Sequence, residues 1–154
     1  MIAVLQRVKK ATVTADGVPT GACSEGFVIL LGVLEGDTQE EARLLAEKIA
    51  KFRIFSDEND KMNLSLGDIG GEVLIVSNFT LGANYSHGNR PDFMASAHPS
   101  VAEPLYEHFV QLMRERVRHV ATGVFGADMS IDMVADGPVT VVMDSEKLKK
   151  RKTV

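Results

Sequence analysis

One cysteine, Cys23, is all the thiol chemistry in this chain of 154 residues. A single thiol cannot close an intramolecular disulfide, so a stapled secreted scaffold is excluded and a reducing cytoplasm is the expected setting. Long apolar runs are missing too. The longest, Phe27 to Leu34, falls well short of the ~18 residues that a membrane span needs, and has the length of a buried strand. The opening Met1-Ile-Ala-Val-Leu-Gln-Arg7 has no basic segment followed by an apolar one, so it does not read as a signal peptide. Net positive charge is absent as well: the balance is −4, which argues against a protein that coats nucleic acid non-specifically. What remains is the expectation of one soluble, intracellular domain with no membrane contact, long enough to bury a sizeable core.

Several catalytic kits are missing with equal clarity. His87, His98, His108 and His119 are scattered, without the close pairing of a metal site and without a second cysteine, so no metal is expected. No glycine-rich phosphate loop joins a strand to a helix, and no Gly-x-Ser-x-Gly elbow offers a serine nucleophile. Asp57-Glu-Asn-Asp-Lys61 spaces its acids somewhat like a calcium loop. Lys61 occupies a ligand position, however, and the central glycine is lacking, so a plain turn is the reading. A hydrolase here has to work without the standard machinery.

The elements that are present follow from periodicity. Ile2 to Val8 and Ala11 to Ala15 read as strands, with Asp16-Gly17 as a hairpin turn and Pro19 marking a short or edge return strand. Phe27 to Leu34 is apolar on both faces and reads as a central strand. Capping boxes at Asp37 to Glu40 and Thr38 to Glu41 predict a helix whose buried stripe is Ala42, Leu45, Ala46 and Ile49, followed by a strand over Phe52 to Phe55. A further box, Ser100-Val-Ala-Glu103, predicts a second helix with Pro104 early and Leu105, Phe109, Leu112 and Met113 inward. Its basic end, Arg114 to His119, suits a helix C-terminus. Met129 to Ala135 and Val139 to Met143 read as two strands separated by an Asp136-Gly137-Pro138 corner, with a trans peptide as the default. Many strands with two helices imply a mixed α/β layered domain.

The chain is organised around Gly70 to Leu81. An apolar run, Val73 to Val76, stops at Ser77-Asn78-Phe79-Thr80 and gives way to the polar segment Gly82 to Asp92. Backbone N–H groups at such a strand end can bind a developing oxyanion without a titrating side chain. Thr80 could act as a weak nucleophile or a donor, yet no general base lies near it in sequence. Taken alone, Ser77 and Thr80 read first as hydroxyls that cap the strand. Five of the 17 cationic residues crowd into Lys147-Leu-Lys-Lys-Arg-Lys152. A solvated, frayed terminus is the first reading of that run, and a phosphate-docking tail is the alternative.

Together these blocks resemble the D-aminoacyl-tRNA deacylases. The likeness is carried in order by Leu5-Gln-Arg-Val8, Leu30-Leu-Gly-Val33, Lys61-Met-Asn-Leu64, Gly71 to Leu81, Arg90-Pro-Asp-Phe93, Ala102-Glu-Pro-Leu-Tyr106, Phe125-Gly-Ala-Asp-Met129 and Asp136-Gly-Pro-Val-Thr140. It covers residues 1–145 as one domain and leaves 146–154 as a basic C-terminal tail. The resemblance implies a dimeric, layered β/β/α domain whose largely antiparallel sheet is barrel-like and carries two main helices. It implies hydrolysis of the ester of D-aminoacyl-tRNA, and of glycyl-tRNA mischarged on tRNA-Ala, without a cofactor. The partners implied are the 3′-terminal aminoacyl-adenosine of the tRNA and a second copy of the chain. Ser77, Phe79 and Thr80 take catalytic positions by this likeness. Asn78, Phe125, Met129, Gly137, Pro138 and Arg7 bind substrate or hold the binding segment. The Gly137-Pro138 carbonyls, cis in the family, enter the other subunit's pocket and exclude L side chains, while Arg7 secures them. Water attacks with help from the terminal ribose 2′-OH.

Three departures stand out. Asn78 replaces a glutamine, Gly82 stands where tyrosine is common, and Asn84 to Asn89 carries Tyr-Ser-His-Gly where relatives place basic residues. The last predicts weaker phosphate attraction, for which the basic tail could compensate. A deacylase for L-alanyl mischarged tRNA, and an RNA-binding module weakened at Asn78, remain the alternative functions.

Overall fold

A computed structural model describes residues 1–150 of the chain. Its spine is β1 (Ile2–Ala15), a strand of 14 residues that pairs antiparallel on one side with β8 (Met129–Asp144). On the other side it pairs first with β3 (Gly26–Gly32) and then with β2 (Val18–Cys23). β6 (Glu72–Ser77) adds to β3 in parallel, and β7 (His119–Thr122) adds to β6 in parallel. The sheet then curls until β2 meets β7. His119 Nε2 lies 3.0 Å from the Ala22 carbonyl, and a Cβ at Gly21 would sit 2.6 Å from the Thr122 oxygen. The result is the expected layered α/β domain with a nearly closed, barrel-like sheet.

Two apolar layers follow from strands covered on both faces. Phe27, Ile29, Leu31, Val73 and Ile75 point to one side, where α1 (Gln39–Lys51) and α3 (Pro99–Arg114) lay down Leu45, Ile49, Phe109 and Met113. Val28, Leu74 and Val76 point to the other side and meet Val8, Val13 and Cys23 inside the curl. A two-sided strand such as β3 has to be apolar throughout, as its sequence predicts. Of the two boxes at the start of α1, Thr38 and Glu41 form the cap: the Glu41 carboxylate accepts from the Thr38 N–H at 2.6 Å. The Asp37 carboxylate instead accepts from the Leu34 N–H at 2.7 Å. A minor sheet pairs β4 (Phe55–Ser56) with β5 (Met62–Leu64), and α2 (Leu66–Ile69) is a single turn.

Several boundaries differ from the expected ones. The two predicted strands at the start are one, because β8 pairs along the whole length while Lys9 and Lys10 point outward beside a shift of register. β8 likewise continues through the Gly-Pro corner, whose peptide is cis, the isomer that the resemblance implies rather than the default. Of the strand expected over Phe52 to Phe55 only Phe55 is in one, the two-residue β4. α3 starts at Pro99, not at Ser100, since the His98 ring accepts from the Ser100 N–H and Pro99 has no N–H to satisfy. No helix among the described residues is long and apolar enough to cross a membrane.

The chain's end is partly committed to the fold. Ser145–Leu148 forms a 3-10 turn, and Lys149 Nζ reaches Glu41 at 2.8 Å as well as Glu146. Of the basic run Lys147 to Lys152, Arg151 and Lys152 lie outside the described residues.

Candidate active site

β6 ends where the sequence places its polar stop. The Asn78 N–H still bonds across to the Leu31 carbonyl at 2.8 Å, and the chain then tightens into a 3-10 turn, Phe79–Gly82. That turn lies flat on β3 because two glycines leave room. A Cβ at Gly32 would come within 2.8 Å of Leu81 Cβ and 3.1 Å of the Asn78 oxygen. A Cβ at Gly82 would come within 2.3 Å of Ser96 Oγ, so the family's common tyrosine could not occupy this backbone unchanged. Ser96 Oγ donates to the Phe79 carbonyl at 2.6 Å, tying the turn to the segment before α3.

Beside the turn opens a cavity of about 750 Å³. Ser77, Asn78, Phe79, Phe125 and Met129, all expected at the site, line it. Thr80 does not, but its hydroxyl donates at 2.5 Å to Oδ1 of Asn78, which does. The shorter amide at position 78 thus has an intrachain partner. Arg7, Gly137 and Pro138 do not line the cavity either. They meet at the irregular stretch of the β1–β8 ladder, where Arg7 Nε donates to the Asp136 carbonyl at 3.3 Å and Nη1 to the Ile54 carbonyl at 2.8 Å. Gly137 and Pro138 are exposed there. Within one chain the cavity and the Gly137–Pro138 segment are thus separate.

Among the wall residues not expected at the site are Phe93, Ser96, His98 and Tyr106. Phe93 stacks edge-on against Phe79 with centroids 5.1 Å apart, and Tyr106 lies 5.8 Å from Phe125. Phe93 and Tyr106 fall in blocks that carry the family likeness, which was the available signal. The lining contains no carboxylate, lysine or arginine. Its imidazole, His98, has Nδ1 taken up by the Ser100 N–H at 3.2 Å.

The Tyr106 hydroxyl donates to the Ile75 carbonyl at 3.0 Å, and burial pushes its pKa up from 10.0 to about 12. Burial, reinforced by Glu72, likewise pushes the Cys23 thiol up from 9.0 to about 11. Both groups keep their protons in the folded chain at pH values where the unfolded chain loses them. Their stabilising effect is therefore complete below about pH 9 and is lost as the pH rises towards 12. Tyr106→Phe is expected to cost about 1 kcal/mol at pH 7, because the Ile75 oxygen keeps the Gly123 N–H at 3.3 Å. The variant should also flatten the upper part of the alkaline decline, from pH 10 to 12. Urea midpoints across that range check it; an unaltered decline would contradict the assignment.

An apolar chamber beside a polar strand end and a turn without a side-chain cap, lined by no carboxylate, lysine or arginine, suits the binding of an acyl group. A profile described as D-Tyr-tRNA(Tyr) deacylase matches residues 4–144. The chain is 54% identical over 147 residues to a D-aminoacyl-tRNA deacylase of Thermus aquaticus, covering 96% of this chain and 97% of that one. It is 53% identical over 149 residues to a D-aminoacyl-tRNA deacylase of Chloroflexus aurantiacus, covering 97% and 93%. Among solved structures, one described as c-Myc DNA Unwinding Element Binding Protein superposes with a TM-score of 0.88 at 38% identity, covering 94% and 98%. Another, described as a probable eukaryotic D-amino acid tRNA deacylase, shares the fold at a TM-score of 0.79 and 18% identity, covering 92% and 97%. The chain belongs to the D-aminoacyl-tRNA deacylase family, enzymes that hydrolyse the aminoacyl-tRNA ester.

Proposed function

We propose that the chain hydrolyses D-aminoacyl-tRNA, together with glycyl-tRNA mischarged on tRNA-Ala, at two composite pockets of a cytoplasmic homodimer. The observation that carries this reading is the uncapped start of the Phe79–Gly82 turn at the rim of a cavity without carboxylate or lysine. The first N–H groups of a helical turn have no partner within it, and the Asn78 side chain makes no cap bond. The Phe79 and Thr80 amides are thus the donors for the oxyanion formed when water adds to the ester carbonyl. The ribose 2′-OH of the terminal adenosine assists that water, so the protein needs no base of its own. Ser77, Asn78, Phe125 and Met129 shape the aminoacyl chamber, and Asn78 orients Thr80.

Stereochemistry comes from the second copy. Gly137 and Pro138 stand exposed and away from their own cavity, and Arg7 holds the segment. Their carbonyls enter the other copy's pocket, where an L side chain would collide with them and glycine would not. A surface for that pairing exists on β8, which pairs only with β1 among the described residues and exposes Met133, Val134 and Val142. Long apolar edges of this kind are normally covered. The basic run 146–154 is proposed as a tail beyond the 1–145 domain, with Lys149 already engaged by Glu41.

Purified protein is expected to cleave D-Tyr-tRNA and Gly-tRNA rapidly and L-Tyr-tRNA slowly. Equal rates on the D- and L-esters would refute chiral proofreading, preferred cleavage of L-Ala-tRNA would favour the L-alanyl deacylase, and binding without turnover would favour an RNA-binding module. Thr80→Ala should lose about tenfold, the worth of a hydrogen bond, rather than the ~10⁶-fold of a missing nucleophile. A covalent aminoacyl group trapped on Thr80 would overturn this mechanism.

A further inference from the structure

The segment between the two aromatic walls of the cavity is an ordered hairpin. The Asn84 N–H donates to the Asp92 carbonyl at 2.8 Å and the Asp92 N–H returns to Asn84 at 3.0 Å. Asn84 Oδ1 accepts from the Ser86 N–H and hydroxyl at 3.1 and 2.8 Å. The Asp92 carboxylate accepts from the Met94 N–H at 3.2 Å. One foot of the hairpin follows Phe79 and the other precedes Phe93, so it rises from the cavity rim.

Its composition is unusual for a surface that meets phosphates. From Asn84 to Asp92 the only arginine or lysine is Arg90, offset by Asp92. Some cations elsewhere are tied up in ion pairs, Arg116 with Glu47 and Glu115, Arg118 with Glu72, Lys149 with Glu41 and Glu146, and the cavity lining itself carries no lysine or arginine. In place of charge the rim presents apolar surface. Tyr85 is 83% exposed, Met94 86% and Phe79 62%. Phe79 lines the opening, and Tyr85 and Met94 lie in and just after the hairpin beside it; single exposed hydrophobics need no explanation, but three in one short stretch do.

We infer that Tyr85 stacks on an unpaired base adjoining the terminal adenosine of the tRNA acceptor end. This rests on the deacylase reading above. Tyr85 is one residue beyond the Asn84–Asp92 pair, and Phe93 one residue beyond it on the other strand. At roughly 3.3 Å per residue the two backbones lie within about 10 Å, a gap that one or two nucleotides bridge. Every base offers a π-face, so stacking suits an enzyme that accepts many tRNAs. It also explains how a rim with little positive charge can engage a polyanion.

The test compares Tyr85→Ala and Tyr85→Phe on D-Tyr-tRNA and on D-tyrosyl-adenosine, which ends at the terminal nucleoside. Tyr85→Ala is expected to raise KM for the tRNA between about 5-fold and 100-fold, with kcat held. Tyr85→Phe restores KM, and the penalty vanishes on the adenosine ester. Because stacking releases no counterions, the plots of log affinity against log salt for wild type and Tyr85→Ala run parallel. A wild-type KM in Tyr85→Ala, an equal loss on the adenosine ester, or a shallower salt slope would each overturn the inference. So would a loss that follows dissociation into monomers by sedimentation, since the occupant would then be the second copy. Wild-type protein that cleaves neither D-ester refutes the deacylase reading instead, while binding of deacylated tRNA still reports on Tyr85 alone.

Discussion

Arg7→Ala is expected to lower kcat/KM for D-aminoacyl-tRNA by about 100-fold, the scale of a misplaced binding group, and to reduce the preference for D- over L-esters. In the β1–β8 ladder Gln6 pairs with Thr140 and Val8 with Ala135, so Arg7 alone stands against residues 136 to 139. That excursion carries Gly137 and Pro138. Its tether is the Arg7 guanidinium, which bonds the Asp136 and Ile54 carbonyls and lies 3.3 Å from the Asp136 carboxylate. With its side chain only 11% exposed, Arg7 holds this geometry largely shielded from water. Alanine leaves the Ile54 carbonyl and the Asp136 carboxylate short of a donor, at a stability cost of about 1–3 kcal/mol. Arg7→Lys keeps the charge but not the fork and should fall between the two. Steady-state kinetics on D- and L-Tyr-tRNA, with a thermal melt alongside, check this; wild-type efficiency and chirality in Arg7→Ala would remove Arg7 from the site.

Gly32→Ala is the second large effect. The new methyl would press on Leu81 Cβ and on the Asn78 carbonyl, and neither is the free end of a flexible side chain. The Phe79–Gly82 turn must lift, carrying with it the two amides proposed as oxyanion donors and the Asn78–Thr80 bond. Overpacking of this kind costs about 1–3 kcal/mol. The larger effect is on rate, about 100-fold in kcat, since donors displaced by an ångström no longer meet the developing charge. KM should change less than kcat, because the apolar walls from Phe125, Met129 and α3 are untouched. An unchanged kcat together with the expected loss of stability would detach the turn amides from the chemistry.

Local signals made much of this legible. The Thr38–Glu41 box and the Ala42, Leu45, Ala46, Ile49 stripe predict α1 because capping and helical spacing are properties of neighbouring residues. Asp16-Gly17 predicts the hairpin because both residues need positive φ, and they have 47° and 81°. The sequence errs where a distant partner outweighs a local break. Lys9-Lys10 looks like an interruption until β8 pairs across it, and Gly137-Pro138 looks like a corner until β1 carries the ladder past it. Ser100 looks like a cap until His98 takes that place.

The site divides in the same way. Ser77-Asn78-Phe79-Thr80 announces itself as the abrupt end of an apolar strand, and the ordered blocks from Leu5 to Thr140 announce the family. Those facts reside in the order of residues alone. That Phe93, Ser96, His98 and Tyr106 face Phe79 and Phe125 across one chamber was decided by the curl of the sheet and the seating of α3. So was the distance between that chamber and the chain's own Gly137–Pro138. Both depend on packing between segments tens of residues apart, for which sequence spacing has no measure.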